Sequence, residues 1–86
     1  MTDMAKEMDA RLRAAFDPVI LEVLNTSHEH AGHAGDDGSG QSHFDVKIVS
    51  SAFKGKSRVA QHRMVYAALG DVMDVIHALA LDLRAS

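Results

Sequence analysis

The fold of this chain is decided by the stretch AFKGKSRVAQHRMVYAAL, residues 52–69. Gly55 permits a turn, and Ser57 can accept hydrogen bonds from the free amides of a first helical turn. The stretch therefore predicts a helix that begins at Ser57. Its apolar side chains, spaced three or four residues apart, are expected to face the core. They are Val59, His62, Tyr66 and Leu69, with Val65 at the flank.

The same stretch is rich in basic side chains, which surround the apolar stripe. They are Lys54, Lys56, Arg58 and Arg63. Residues 46–70 contain no acidic residue, whereas the whole chain has a net charge of -3. A basic face on an otherwise acidic body indicates an anionic partner or ligand. A solvated helix surface would account for the same pattern.

Residues 2–16 predict a first helix, capped by Thr2 or Asp3. It should end at Asp17, because the residue before a proline is pushed out of the helical region. Its core-facing stripe is expected to be Met4, Met8, Leu12, Ala15 and Phe16.

Alternating apolar and polar residues predict two strands, at residues 19–24 and 43–50, which most simply pair antiparallel. The connection between them, residues 25–42, contains His28, His30 and His33 and four glycines. At about eighteen residues it is longer than an ordinary hairpin loop, and loops of that length are usually functional or disordered.

Residues 71–74 predict a short helical turn, and residues 75–83 predict a third strand. One face of that strand would carry His77, Leu79 and Leu81. The other would carry Ile76, Ala78 and Ala80, whose small side chains would let a helix lie close. Because helices separate the second and third strands, a right-handed crossover should join them in parallel. The predicted fold class is α+β, in the order α-β-β-α-(α)-β, with a mixed three-stranded sheet and helices packed on one face.

Composition limits the classes of protein that remain. A chain of 86 residues supports one domain, here residues 1–86. Without cysteine it has no disulfide, no nucleophilic thiol and no thiolate metal ligand of its own. It has no apolar run for a membrane helix, and Asp3, Glu7 and Asp9 fit neither a secretory signal nor a transit peptide. A cytoplasmic protein with no membrane contact is expected.

Two apparent catalytic motifs fail on spacing. Gly55-Lys56-Ser57 ends like a phosphate-binding loop, but the required earlier glycine is Ser50. His28-Glu29 begins like a zinc-protease motif, but the second histidine is replaced by Gly32. No serine, histidine and acid grouping is visible, so we predict that the protein is not an enzyme.

Several short motifs together resemble the signature of BolA-like proteins. They are Phe53 with Gly55, His62-Arg63 with Tyr66, His77-Ala78-Leu79, and Ser42-His43-Phe44. The resemblance runs from about Arg11 to Leu81 and implies a fold related to the type II KH domain. The chain departs from the family at Gln61, where an arginine is usual.

The resemblance also implies a shared metal centre. His30 and His77 match the positions at which the family is thought to hold a 2Fe-2S cluster jointly with a monothiol glutaredoxin and its bound glutathione. His28 and His33 could assist. The cluster would not be bound by this chain alone, which would be a monomer or weak homodimer. Two imidazoles in place of thiolates raise the reduction potential of such a cluster.

The basic residues leave two functions open. Lys54, Lys56, Arg58 and Arg63 could contact the glutaredoxin or glutathione. The alternative is that they contact DNA, since bacterial BolA-like proteins are described as transcriptional regulators of stress and morphology genes. Two further histidines are interpreted as structural: His62 as a hydrogen-bonded core residue and His43 as a residue at a strand start.

Overall fold

The computed structural model describes residues 3–27 and 42–86. Two helices and three strands follow one another in the predicted order, with two short 3₁₀ helices. The elements are α1 (Met4–Phe16), β1 (Ile20–Asn25), β2 (His43–Val49), a 3₁₀ helix (Ser51–Phe53), α2 (Arg58–Leu69), a second 3₁₀ helix (Gly70–Asp74) and β3 (Ala78–Arg84). The first 3₁₀ helix was not expected from the sequence.

Strand β2 is central in the sheet. It pairs antiparallel with β1, Ile20 opposite Val49, and parallel with β3, His43 opposite Ala78. Both orientations confirm the prediction from the sequence. The helices cover one face of the sheet, where the apolar side chains of β2 pack against α1 and α2. The core consists of Met4, Met8, Leu12, Phe16, Phe44, Val46, Ile48, Phe53, Val65, Leu69, Val72 and Ile76.

Helix α1 begins and ends as its capping residues dictate. The Asp3 carboxylate accepts from the amides of Ala5 and Lys6, at 3.1 and 3.4 Å. At the other end Asp17 adopts a left-handed conformation, φ 44°, and its amide donates to the Arg13 carbonyl. Of the five residues predicted to face the core, Ala15 is the exception, because it is exposed.

Arg11 joins α1 to the end of α2. Its guanidinium donates to the Leu69 carbonyl at 2.6 Å, to Asp71 at 2.7 Å and to Glu7 at 2.9 Å. The hydrogen bond from Arg11 lowers the pKa of Asp71. The bond to Leu69 supplies a donor to a carbonyl in the last turn of α2, where carbonyls have no partner within the helix.

The predicted inward face of α2 is right at its C-terminal end and wrong elsewhere. Val65 and Leu69 are fully buried, whereas Val59 is 59% and Tyr66 41% exposed. A polar residue, Gln61, lies on the side of α2 that faces the core. Its side-chain amide donates to the carbonyls of Phe53 and Lys56 in the preceding turn. A polar residue that serves the preceding turn interrupts the apolar pattern from which the face was predicted.

His62 is also placed differently from the prediction. It is half-buried, and its ring packs edge-on against exposed Tyr66, with centroids 6.2 Å apart and planes at 85°. His62 is therefore at the side of the helix and not in the core.

Strand β3 begins three residues later than predicted and turns its other face to the helices. The amides of Val75 and Ile76 both donate to the Val72 carbonyl, so these two β-branched residues end a helical turn. In the strand, the leucines are half-buried and the alanines are exposed. Because Leu79 lies opposite Phe44 in the parallel register, the leucine face packs on the core.

Neither α-helix in residues 3–27 and 42–86 combines the length and the apolar character needed to cross a bilayer.

Ser50 ties three elements together just after β2. Its buried hydroxyl donates to the Phe16 carbonyl at 2.6 Å and accepts from the Ala52 amide at 3.1 Å. Its own amide donates to the Arg84 carbonyl at 2.9 Å. The Ser50 side chain thus connects the end of α1 with the start of the 3₁₀ helix. The Ser50 backbone amide bonds to the end of β3.

We expect Ser50→Ala to lower the free energy of unfolding by about 1–3 kcal/mol, since it leaves buried polar groups without a partner. Urea unfolding followed by circular dichroism measures the change. The exposed neighbour Ser51 provides the control, because Ser51→Ala removes a hydroxyl of the same size from solvent. Equal unfolding midpoints for the two variants would contradict the role assigned to Ser50.

Candidate functional site

The starts of β2 and β3 meet at a buried hydrogen-bond network built on two serines. The Ser27 hydroxyl accepts from the amides of Ser42 and His43, at 2.8 and 3.0 Å. The Ser42 carbonyl in turn accepts from the amides of His77 and Ala78, at 2.7 and 3.0 Å. Both serines are buried, at 3% and 0% exposure. Ser27 and Ser42, the described residues on either side of residues 28–41, therefore lie together beside His77.

His77 occupies an exposed position immediately before β3. Its backbone is fixed by the bond to Ser42, while its side chain is accessible to a partner. The His77 ring lies beside the ring of His43, with centroids 5.4 Å apart and planes at 47°. The sequence placed His77 inside the third strand; the structure places it at the strand entrance.

His43 is 7% exposed, and its Nδ1 lies 2.8 Å from the Ser42 hydroxyl oxygen. This burial and this hydrogen bond agree with the structural role expected for it.

The other candidate ligands, His28, His30 and His33, lie outside the described residues. Within residues 3–27 and 42–86, no three histidine, aspartate or glutamate side chains are grouped closely enough to hold a metal ion. His77 is therefore the one predicted ligand whose surroundings the structure describes.

The predicted basic residues are all exposed, and none forms an ion pair with another residue in the described part of the chain. They are Lys54, Lys56, Arg58 and Arg63. The turn that carries Lys54 and Lys56 uses Gly55 at a positive φ of 75°. It leads to α2, whose first turn is capped by the Ser57 hydroxyl accepting from the Ala60 amide at 3.1 Å. The predicted cap is thus confirmed.

The structure does not bring this basic surface, Lys54, Lys56 and Arg58, to His77. The three residues follow the end of β2, whereas His77 precedes the start of β3, which runs parallel to β2. A seven-residue strand is about 20 Å long, so the two features lie at opposite ends of the sheet. Arg63, further along α2, lies between them.

Comparison with known proteins assigns the family. The model of the family described as BolA-like protein matches residues 12–86. The chain belongs to the BolA-like family. This BolA-like protein is 48% identical over 81 residues to "Uncharacterized protein in cobS 5'region" of Sinorhizobium sp, a match that covers 92% of this chain and 87% of the relative. It is 42% identical over 77 residues to "DNA-binding transcriptional regulator BolA" of Escherichia coli (strain K12), covering 88% and 70%.

The fold agrees with solved structures of the family. BolA1 from Arabidopsis thaliana matches with a TM-score of 0.86 at 38% identity, covering 99% of this chain and 94% of that chain. Some relatives are longer: the chain spans 20% of SufE-like protein 1 and 50% of Protein BOLA1, chloroplastic, both of Arabidopsis thaliana.

Sequence reasoning missed the two serines that organise the site. Ser42 was noted only as part of the Ser42-His43-Phe44 motif, and Ser27 resembles an ordinary loop residue. Only the pairing of the strands reveals that the two serines meet. Their position at the two ends of a long histidine-bearing connection was a further signal, because short hydroxyl side chains often bond to nearby backbone.

We expect Ser27→Ala to expose the amides of Ser42 and His43 to exchange and to lower the free energy of unfolding by about 1–3 kcal/mol, since two buried donors lose their acceptor. Amide hydrogen exchange measured by NMR tests both expectations. Thr26→Ser, one residue earlier, is the control for a mild change at the same strand end. Unchanged exchange at Ser42 and His43 in Ser27→Ala would refute the assignment.

Proposed function

We propose that this BolA-like protein holds a 2Fe-2S cluster jointly with a monothiol glutaredoxin and glutathione, in cluster trafficking or iron sensing, and catalyses no reaction itself. His77 is one ligand, and His30 is the second. The observation that supports this proposal is the position of His77. It is exposed, its backbone is fixed, and it lies beside Ser27 and Ser42, which precede and follow the segment that contains His30.

The donor atoms available fit such a cluster. The chain has no cysteine, so every sulfur ligand must come from the partner and from glutathione. Imidazole is a neutral ligand, and two imidazoles raise the reduction potential of a 2Fe-2S cluster relative to four thiolates. The exposed ring of His77 can meet a cluster that another protein presents.

The covalent chain also permits His30 to act with His77. His30 is three residues beyond Ser27, and three residues span at most about 11 Å. Ser27 bonds to Ser42, whose carbonyl bonds to the His77 amide. A ligand three residues from this network is therefore within reach of the same cluster.

We expect His77→Ala to abolish the visible circular dichroism that distinguishes the mixed complex from the glutaredoxin homodimer. The protein is mixed with a monothiol glutaredoxin, glutathione, iron and sulfide under anaerobic conditions, and the visible spectrum is recorded. His62→Ala is the matched control, because it removes an imidazole from α2. If His77→Ala gave the wild-type spectrum while remaining folded, His77 would not be a ligand.

The basic surface supports a second function, nucleic-acid binding. Lys54, Lys56 and Arg58 are exposed next to the N-terminus of α2, and a relative from Escherichia coli is named a DNA-binding transcriptional regulator. Because this surface and His77 lie at opposite ends of the sheet, DNA and a glutaredoxin need not compete for the same residues. Binding there would depend on phosphate contacts and would weaken with salt.

We expect the double variant Lys56→Glu, Arg58→Glu to weaken binding of duplex DNA at least about tenfold and to lower the salt slope by roughly two, since two phosphate contacts are lost. Fluorescence anisotropy over a series of salt concentrations measures both quantities. Lys6→Glu in α1 changes the charge of an exposed lysine elsewhere on the protein and should have a smaller effect. Lys6→Glu changes the net charge by half as much as the double variant does. A loss of affinity half as large on a logarithmic scale would therefore show that only net charge matters.

A further inference from the structure

Two imidazoles from different elements lie side by side where β2 and β3 begin. His43 is the first residue of β2, and His77 immediately precedes Ala78, the residue opposite His43 in the parallel register. Their ring centroids are 5.4 Å apart. Backbone bonds hold both residues in place: the His43 amide donates to the Ser27 hydroxyl, and the His77 amide donates to the Ser42 carbonyl.

This separation matches that of two histidines on one metal ion. Zinc–nitrogen bonds are about 2.0–2.1 Å long, so the centroids of two imidazoles on a tetrahedral zinc ion lie roughly 5 Å apart. The separation of the two ring centroids is therefore compatible with two imidazoles on one ion.

The Ser42 hydroxyl supplies the support that a ligating histidine needs. It lies 2.8 Å from Nδ1 of His43. When Nδ1 carries the proton it donates to this hydroxyl, and Nε2 then has the lone pair that a metal binds. Metal-binding histidines almost always donate their second ring nitrogen to a fixed acceptor in this way, which orients the ring.

The open face of the sheet gives access to His43 despite its low exposure. His43 lines a shallow depression of about 260 Å³ on that face, together with Thr26, Asp45, Ala78 and Ala80 among others. The small alanine side chains leave room beside the ring, and the Asp45 carboxylate adds negative charge nearby. His77 does not line this depression, so a shared ion would lie between the two rings and not within it. Such an ion replaces contacts that His43 makes in its absence, and this exchange limits the affinity.

We propose that His43 and His77 form a two-imidazole site for a divalent ion of borderline softness, such as Zn²⁺, with water in the remaining positions. The site needs neither a partner nor glutathione and does not depend on the proposed cluster function. Because both uses require His77, an ion bound here excludes His77 from a shared cluster.

The test is a titration of Zn²⁺ alone into a variant that lacks the other candidate imidazoles. His28→Gln, His30→Gln and His33→Gln together remove the histidines of residues 28–41. We expect this triple variant to bind one zinc ion, measured by competition with a chromophoric chelator. Adding His43→Gln or His77→Gln should each weaken binding more than roughly tenfold, since even the loss of an outer hydrogen-bond partner costs that much.

His62→Gln in the triple variant is the matched control, and it should leave zinc affinity unchanged. Equal affinity with and without His43 would overturn the proposal, as would the absence of zinc binding to the triple variant. No glutaredoxin or iron is present, so the result is separate from the test of the cluster.

A measurement on the ring nitrogens covers the case in which His43→Gln fails to fold. In the triple variant, Zn²⁺ should shift the ¹⁵N resonances of Nε2 of His43 and of one nitrogen of His77 at the same zinc concentration. A shift confined to His77, or no shift, would show that the two rings do not share an ion.

Discussion

The carbonyl of Ser42 is the acceptor on which the arrangement of this molecule depends. The amides of His77 and Ala78 both donate to it, and these bonds start the pairing of β3 with β2. A strand displaced by one residue would present its opposite face to the core. The two bonds therefore decide that leucines, and not alanines, pack against the helices. They also decide that His77 remains outside the strand, at an exposed position.

Buried serine hydroxyls hold both ends of the sheet. The Ser27 hydroxyl joins the end of β1 to the start of β2, and the Ser50 hydroxyl joins the end of β2 to α1. In the described residues every buried side-chain nitrogen and oxygen has a hydrogen-bond partner. Such satisfied networks specify one arrangement, because an unpaired buried polar group is costly. In a domain this small, they supplement a limited apolar core.

Much of the fold could be predicted from local patterns, but the faces of two elements could not. Helix caps and ends could be predicted because they depend on residues close in sequence. Examples are the caps at Asp3 and Ser57 and the end of α1 at Asp17. The inward face of α2 was misjudged because Gln61 serves the preceding turn. The start of β3 was misjudged because Val75 and Ile76 favour strands by type, while their amides bond to Val72.

The residues of the candidate site could be predicted from the sequence, but their arrangement could not. The identity of His77 and of the basic residues came from the resemblance to BolA-like proteins and from charge. Their separation could not be predicted, because it follows from the parallel pairing of β2 with β3 and from the direction of α2. The contact between His43 and His77 likewise depends on a register that residue types alone do not determine.

The direction of α2 makes the charge distribution of the molecule uneven. Its N-terminus carries about half a positive charge from the helix dipole, next to Lys54, Lys56 and Arg58. At its other end the Leu69 carbonyl accepts from Arg11, whose charge is shared with the carboxylates of Glu7 and Asp71. A polyanion would therefore attract one pole and turn the protein as it approaches. On such a surface the imidazole of His77 would point outwards, where a second macromolecule could still reach it.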